Sequence, residues 1–386
     1  FLLGSPLLDL PLLITFHSIG EFSDGQFLLL RVSWGGRILM SSRSFFILLF
    51  LIGLPLVSMA GEIRSGIMRT PDSRFENLKD FDFEPNYMEV DGLRIHYVDE
   101  GPKDGKPIFL LHGQPTWSYL FRHMIPPLAE AGYRVIVPDM VGFGRSDKPT
   151  RKEDYSYPKH IEIMSTLVKR LDLQQAVFFG QDWGGLVGLR VVAETPDRFS
   201  HIIVSNTGLV AAKGIGAWIG YPIVKFSVWW EGAMTYEEMR ARASFRSWIA
   251  YAYYDENLAI NKIMRDLGKI SDRDIIKGYD APFPSSHYKA GAQIFPYLIP
   301  SQLKENSEVW EDVYEKWDKP FLVAFTDEDP VSSGTDFAEQ FATRVPGASQ
   351  VVIRGVGHFV QEEVGPQLAG LIDDFIVGRE VSGFSK

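Results

Sequence analysis

The stretch Ala176-Val177-Phe178-Phe179-Gly180-Gln181-Asp182-Trp183-Gly184-Gly185-Leu186-Val187-Gly188-Leu189 decides how this chain is built. It opens as an apolar, strand-like run that ends at Gly180. From Gly184 it continues as a helix-like run with small residues. Between the two, one acidic side chain is stranded on a glycine-flanked turn. A strand that turns this sharply into a helix projects its central side chain from the top of a sheet. The better-known form of the motif has serine at the centre, but here the residue is Asp182. A carboxylate in that position attacks carbon and leaves an ester on the protein.

The flanking sequence supplies the rest of the sheet. Tyr87 to Val98 reads as two strands around an Asp91-Gly92 turn, a strong hairpin signal. Pro107 to Leu111 is wholly apolar, which suits a strand covered on both faces. It runs into His112-Gly113-Gln114-Pro115-Thr116-Trp117, and a helix is predicted over Tyr119 to Ala131. Arg134 to Pro138 is the next buried strand, ending in Asp139 and the glycine loop Val141 to Asp147. A helix is predicted over Lys159 to Leu171, with later strands at His201–Ser205, Pro320–Phe325 and Gln350–Ile353. Short strands alternating with helices predict an α/β fold, a mostly parallel central sheet flanked by helices.

From residue 208 to 300 the alternation stops, and the sequence becomes rich in aromatics and helix formers, among them Trp218, Trp229, Trp230 and Trp248. A helical block interrupting a sheet protein reads as an inserted cap over the carboxyl ends of the strands, where open α/β sheets bind ligands. The main domain is then 61–207 together with 301–386.

Composition narrows the function. The chain has 386 residues, a net charge of −10 and no basic block, which argues against a nucleic-acid partner. It has no cysteine, so disulfides, thiolate catalysis and cysteine-ligated metals are excluded. Residues 1–60 read as a leader: 39 upstream residues, then a start at Met40, basic Arg43, an apolar run from Phe45 to Val57 and Ser58-Met59-Ala60. That pattern describes a secretory signal peptide, with an apolar run shorter than the roughly 20 residues a membrane span needs. With residues 40–60 as a signal peptide, an exported protein without a stable membrane anchor is expected; without it, a cytoplasmic one.

The last two strands each end in a polar signal: Thr326-Asp327-Glu328-Asp329-Pro330 after one, and Gly355-Val356-Gly357-His358-Phe359 after the other. The order nucleophile, acid, histidine is that of an α/β-hydrolase. Asp182 is the expected nucleophile and His358 the base that takes a proton from water. Asp329, preferred to Asp327 because an Asp-Pro step suits a loop turning back over the sheet, is the acid that orients the base. The backbone N–H groups of Gln114 and Trp183 are the expected oxyanion donors.

Taken together, His112 to Tyr119, Gly142-Phe-Gly-Arg-Ser-Asp-Lys-Pro149, Gln181-Asp-Trp-Gly-Gly185, Ala281-Pro-Phe-Pro284 and Gly357-His-Phe-Val-Gln-Glu362 resemble the haloalkane dehalogenases. The resemblance runs from about Arg69 to Phe375. It implies hydrolytic dehalogenation of haloalkanes to an alcohol, halide and a proton through a covalent alkyl-aspartate ester. It further implies that Trp183 donates its indole N–H to the departing halide, with a second donor from a cap tryptophan, placed at Trp248. Trp229 and Trp230 compete for that role, although they read better as cap core. Phe245, Leu186, Phe283 and Pro284 are the implied pocket residues. Nucleophile, base and water complete the cycle, so no metal or organic cofactor is expected; the partners are a small haloalkane, halide ion and water, and the chain is expected to be a monomer. An epoxide hydrolase with the same aspartate is the alternative, since the cap holds Tyr251, Tyr253, Tyr254 and Tyr279.

Overall fold

The apolar runs predicted as buried strands pair side by side in a computed structural model, which describes residues 61–332 and 335–386. It also describes two short antiparallel strands, Ile14–His17 and Leu29–Val32. Those two belong to a separate unit, residues 1–59, from the one built by residues 60–386. The leader expected over residues 40–60 lies outside the described residues.

The central sheet has eight strands: β1 Asn86–Val90, β2 Leu93–Glu100, β3 Pro107–Leu111, β4 Arg134–Pro138, β5 Ala176–Gln181, β6 Phe199–Ser205, β7 Phe321–Thr326 and β8 Ser349–Ile353. Their order across the sheet is β8-β7-β6-β5-β3-β4-β2-β1. β2 runs antiparallel to both of its neighbours, while all other pairs are parallel. All six residues of β5 are buried, as a central strand covered on both faces requires. Because β5 lies between β3 and β6, the turns after these three strands emerge beside one another at the carboxyl edge.

Helices α1 Ile125–Glu130, α2 Tyr157–Arg170 and α3 Trp183–Glu194 belong to the first half of the fold. The helix expected over Tyr119–Ala131 is split: a 3-10 turn spans Ser118–Phe121, and α1 starts only at Ile125. Pro126 and Pro127 explain the break, because a residue without an N–H is tolerated only in a helix's first turn. After β6 comes the helical block, α4 Ile215–Glu231, α5 Tyr236–Arg242, α6 Phe245–Tyr254, α7 Ile260–Asp266, α8 Arg273–Asp280 and α9 Ala290–Leu298. They occupy the stretch where the strand rhythm of the sequence stops. The chain returns to the sheet through α10 Leu303–Asp312, followed by α11 Phe337–Arg344 and α12 Val360–Ile376. No described helix is long and apolar enough to cross a membrane.

The helical block is tied down by polar contacts. Arg122 makes a two-pronged ion pair with Glu362 at 2.5 and 2.7 Å, and the Tyr279 hydroxyl of α8 donates to the same carboxylate at 2.6 Å. Trp117 Nε1 donates to Gly278 O, and Thr70 Oγ1 donates to Pro282 O. The segments around β3, the start of α12 and the end of α8 are thereby one polar unit.

Candidate active site

The turn after β5 is strained where the chemistry would sit. Asp182 has φ 53° and ψ −129°, a region that residues with a side chain seldom occupy. Its neighbours are glycines because nothing larger fits. A Cβ on Gly184 would lie 1.8 Å from Leu111 O, one on Gly185 2.2 Å from Thr207 Oγ1, and one on Gly113 2.3 Å from Asp182 Oδ1. The turn is pinned from β6: Asp182 N donates to Asn206 O at 3.2 Å, and Thr207 Oγ1 donates to Asp182 O at 2.6 Å. From β3, the Gln114 N–H donates to Asp182 Oδ1 at 2.7 Å. Trp183 is the first residue of α3, so its N–H is one of the donors a helix cannot satisfy internally. The positive end of α3 thus sits directly behind the carboxylate.

His358 follows β8, and its ring is bracketed by two carboxylates. Nδ1 lies 2.9 Å from Asp329 Oδ1, and Nε2 lies 3.7 Å from Asp182 Oδ2. Asp329 is fixed in turn by Val331 N at 2.8 Å, Ser332 N at 3.2 Å and Ser332 Oγ at 2.5 Å. Asp327 instead accepts from Gly355 N at 2.7 Å and is exposed. Burial alone would disfavour a charged imidazole. The two carboxylates outweigh it and push His358 up to about 10. Burial also works against the Asp329 carboxylate, but His358, Ser332 and Val331 N hold it below the usual carboxylate range.

Three further residues organise this centre, and the sequence did not single them out. Gln181 Nε2 is 3.1 Å from both the carbonyl oxygen and Nε2 of His358. It donates to the carbonyl, and it can donate to Nε2 only when the ring is neutral with its proton on Nδ1. Asn206 has φ 45° and a side chain that bonds at both ends. Its Oδ1 accepts from Thr326 N at 3.0 Å, and its Nδ2 donates to His358 O at 3.0 Å. Thr326 Oγ1 donates to Gly357 O at 3.0 Å. The ends of β5, β6 and β7 therefore converge on the loop that carries His358.

The implied pocket residues separate. Trp183 is buried, its ring 4.5 Å from Phe295 of α9 and 5.2 Å from Tyr157. Among the described residues its indole Nε1 has no hydrogen-bond acceptor. Phe295 also meets Phe143, which lies 6.4 Å from Phe283, so these aromatics form one wall leading from Trp183. Leu186 is buried one turn along α3. Pro284 is exposed and, with Phe283, Tyr236 and Tyr251, lines a cleft of about 560 Å³ that touches neither Asp182 nor His358. Trp248 is half-buried on α6, its ring 6.2 Å from Tyr251, and α6 packs on α9. No ring contact links it to Trp183 among the described residues. Phe245, the first residue of α6, is 48% exposed and stands at the surface rather than in a buried wall. Trp229 and Trp230 are 65% and 75% exposed, so neither is cap core. Gln114 is buried, and its side chain is spent on structure, Nε2 donating to Ala292 O at 2.9 Å.

Of the four tyrosines that an epoxide reading draws on, two have hydroxyls with a protein partner and two are placed by ring contacts. Tyr279 donates to Glu362, and the Tyr251 hydroxyl accepts from Ala259 N at 3.1 Å. Tyr253 stacks on Tyr297 and meets Tyr254 edge-on.

Comparison with known proteins agrees with this geometry. A family model described as the alpha/beta hydrolase fold matches residues 106–364. A haloalkane dehalogenase of Psychrobacter cryohalolentis is 40% identical over 324 residues, 80% of this chain and 98% of that protein. One from Mycolicibacterium paratuberculosis is 41% identical over 317 residues, 78% of this chain and 96% of that protein. The tetrameric structure of a haloalkane dehalogenase from Paraglaciecola agarilytica aligns with a TM-score of 0.66 at 33% identity, covering 79% of this chain and 96% of that one. With a strained aspartate elbow, a histidine between two carboxylates and this likeness over most of its length, the chain belongs to the haloalkane dehalogenase family, on the α/β-hydrolase fold.

Proposed function

We propose that this protein hydrolyses haloalkanes in two displacements at Asp182. In the first, a carboxylate oxygen attacks the halogen-bearing carbon. The C–O bond forms, the carbon–halogen bond breaks, and halide leaves with the electron pair. In the second, water adds to Cγ of the resulting ester as His358 Nε2 takes its proton; the tetrahedral intermediate then collapses, the leaving alkoxide takes that proton from His358 to depart as the alcohol, and the regenerated Asp182 carboxyl releases its proton to solvent. Gln114 N–H, already 2.7 Å from Asp182 Oδ1, and Trp183 N–H serve the oxyanion of that intermediate. Asp329 fixes the Nδ1–H tautomer, which leaves Nε2 as the proton acceptor.

The observation that carries the halide reading is Trp183 Nε1: a buried indole N–H, adjacent in sequence to the nucleophile, with no acceptor among the described residues. An unmet buried donor costs about 1–3 kcal/mol, which a bound anion would recover. An indole brings neither a competing charge nor an acceptor, which suits a large, weakly hydrated halide. Trp248 is the candidate second donor, and the Phe143, Phe283 and Phe295 rings keep the surroundings poor in water. The cycle uses only protein groups and water. Export through a signal peptide at 40–60 is part of the same proposal; sequencing the N-terminus of protein from its native source would return a start near Gly61. Incubation with 1-bromobutane and with styrene oxide tests the reaction itself. Bromide release with acidification is expected from the first; hydrolysis of the epoxide alone would refute the halide reading.

A further inference from the structure

Helix α4 carries its apolar face on the outside. Its large side chains recur at helical spacing, as in a helix face that packs against a core. Yet Ile215, Trp218, Ile223, Phe226, Trp229 and Trp230 are 75, 72, 56, 61, 65 and 75% exposed. Successive members are three or five residues apart, with Trp229 and Trp230 adjacent, and at 3.6 residues per turn all six fall on one side of the helix as a single stripe with Lys225 at its edge. The opposite side is built from Gly216, Ala217, Gly220, Val224, Ser227 and Val228. That side faces the protein: Val228 is buried, and a Cβ on Gly220 would come within 2.4 Å of Leu303 Cδ1. The helix thus packs on α6 and α10 through its small residues and presents its aromatic ones outward.

The exposed area lies at the upper end of, or above, what a single molecule usually leaves uncovered. At roughly 150–250 Å² per large aromatic side chain, the exposed fractions of Trp218, Phe226, Trp229 and Trp230 leave about 400–700 Å² uncovered before any isoleucine is added. The largest apolar patch on a typical monomer is about 300–600 Å², whereas a stable pair of proteins buries about 800 Å² on each partner. The rim has the opposite chemistry: Lys213 pairs with Glu311 at 2.6 Å, and Arg242 with Glu231 at 2.5 Å. An aromatic centre depleted of charge inside a rim of both signs is the anatomy of a protein interface. It is not that of a helix lying on lipid, which carries a Lys- and Arg-rich polar face; here the chain's net charge is −10, and α4 offers one lysine.

We propose that α4 is the contact through which two copies of this chain associate, face to face about a two-fold axis. A two-fold contact uses the same patch on both partners, so a rim whose charges already cancel can meet itself without repulsion. The monomer expected from the sequence is therefore replaced by a pair closed through the helical block.

Sedimentation of the full chain over a range of concentrations tests this. The mass of two copies is expected, with Trp218→Ser/Phe226→Ser weakening association by about 30-fold or more, as loss of interface anchors does. Val377→Glu, at another exposed apolar site, should leave the mass unchanged. The chain has no cysteine, so Ile223→Cys introduces a single thiol near the centre of the stripe, and oxidation should cross-link two copies. A wild-type mass of one copy, or a double variant that keeps the wild-type mass, overturns the proposal. So does wild-type binding to phosphatidylcholine vesicles that the double variant loses while both sediment as single copies.

Discussion

Replacing Asp182 by Asn removes one of the two carboxylates beside His358 while keeping the shape of the turn. Asp182 Oδ2 lies 3.7 Å from His358 Nε2. At that range, with an effective dielectric constant near 20, the attraction to an imidazolium is about 4 kcal/mol, equivalent to roughly 3 pKa units. His358, pushed up to about 10 in the intact site, should fall by about 1–3 units in Asp182→Asn, with Asp329 still in place. An alkylated Asp182 is also uncharged, so the variant mimics the electrostatics of the ester intermediate. Loss of that charge, in the variant or in the ester, makes His358 easier to deprotonate and so favours its action as a base. The sign for stability follows from the same shift. A folded-state pKa above the unfolded value of about 6.5 contributes stability that is whole below about pH 6.5. That contribution is lost as pH rises through about 10 in the intact site and over a narrower range in the variant. NMR titration of the histidine ring protons, with the His358 signal identified by its absence in His358→Phe, measures the shift. Thermal melts between pH 7 and 10 should fall more steeply for the wild type. An unchanged or higher His358 pKa in Asp182→Asn would refute the electrostatic coupling.

Other substitutions separate chemistry from scaffold. Asp329→Asn should leave alkylation of Asp182 intact and cut turnover by about 10⁴, because the imidazole loses the partner that sets its tautomer; single-turnover kinetics resolve the two steps. Asn206→Ala strips contacts from Thr326 and the His358 carbonyl, and should cost about 1–3 kcal/mol of stability together with a fall in kcat, measured by denaturant titration and steady-state kinetics. Glu362→Gln leaves Arg122 buried without its counter-charge and should cost about 3–5 kcal/mol, read from the urea midpoint.

The sheet was legible because β3, β4 and β5 are short runs of apolar residues, and each ends in a glycine or polar signal that marks the functional edge. Asp182 and His358 were legible for the same reason: each sits in a glycine-rich turn at the end of a strand. The parts that escaped depend on long-range geometry. Asn206 and Gln181 act through a carbonyl more than 150 residues away, and no local pattern distinguishes such an amide from an ordinary buried one. The apolar spacing of α4 announces a covered face without saying whether the cover is the body of the protein, and small residues such as Gly220 took that side instead. Phe245 was named only by the family resemblance, which does not fix which way the first turn of α6 looks.

The covalent ester at Asp182 is the step on which the proposed cycle turns. Incubating His358→Phe with 1-bromobutane and measuring intact mass, then mapping the modified peptide, tests it. One butyl group on Asp182, accumulating without hydrolysis and with one bromide released per site, is the predicted result. An unmodified protein, or a butyl group on any other residue, would contradict it.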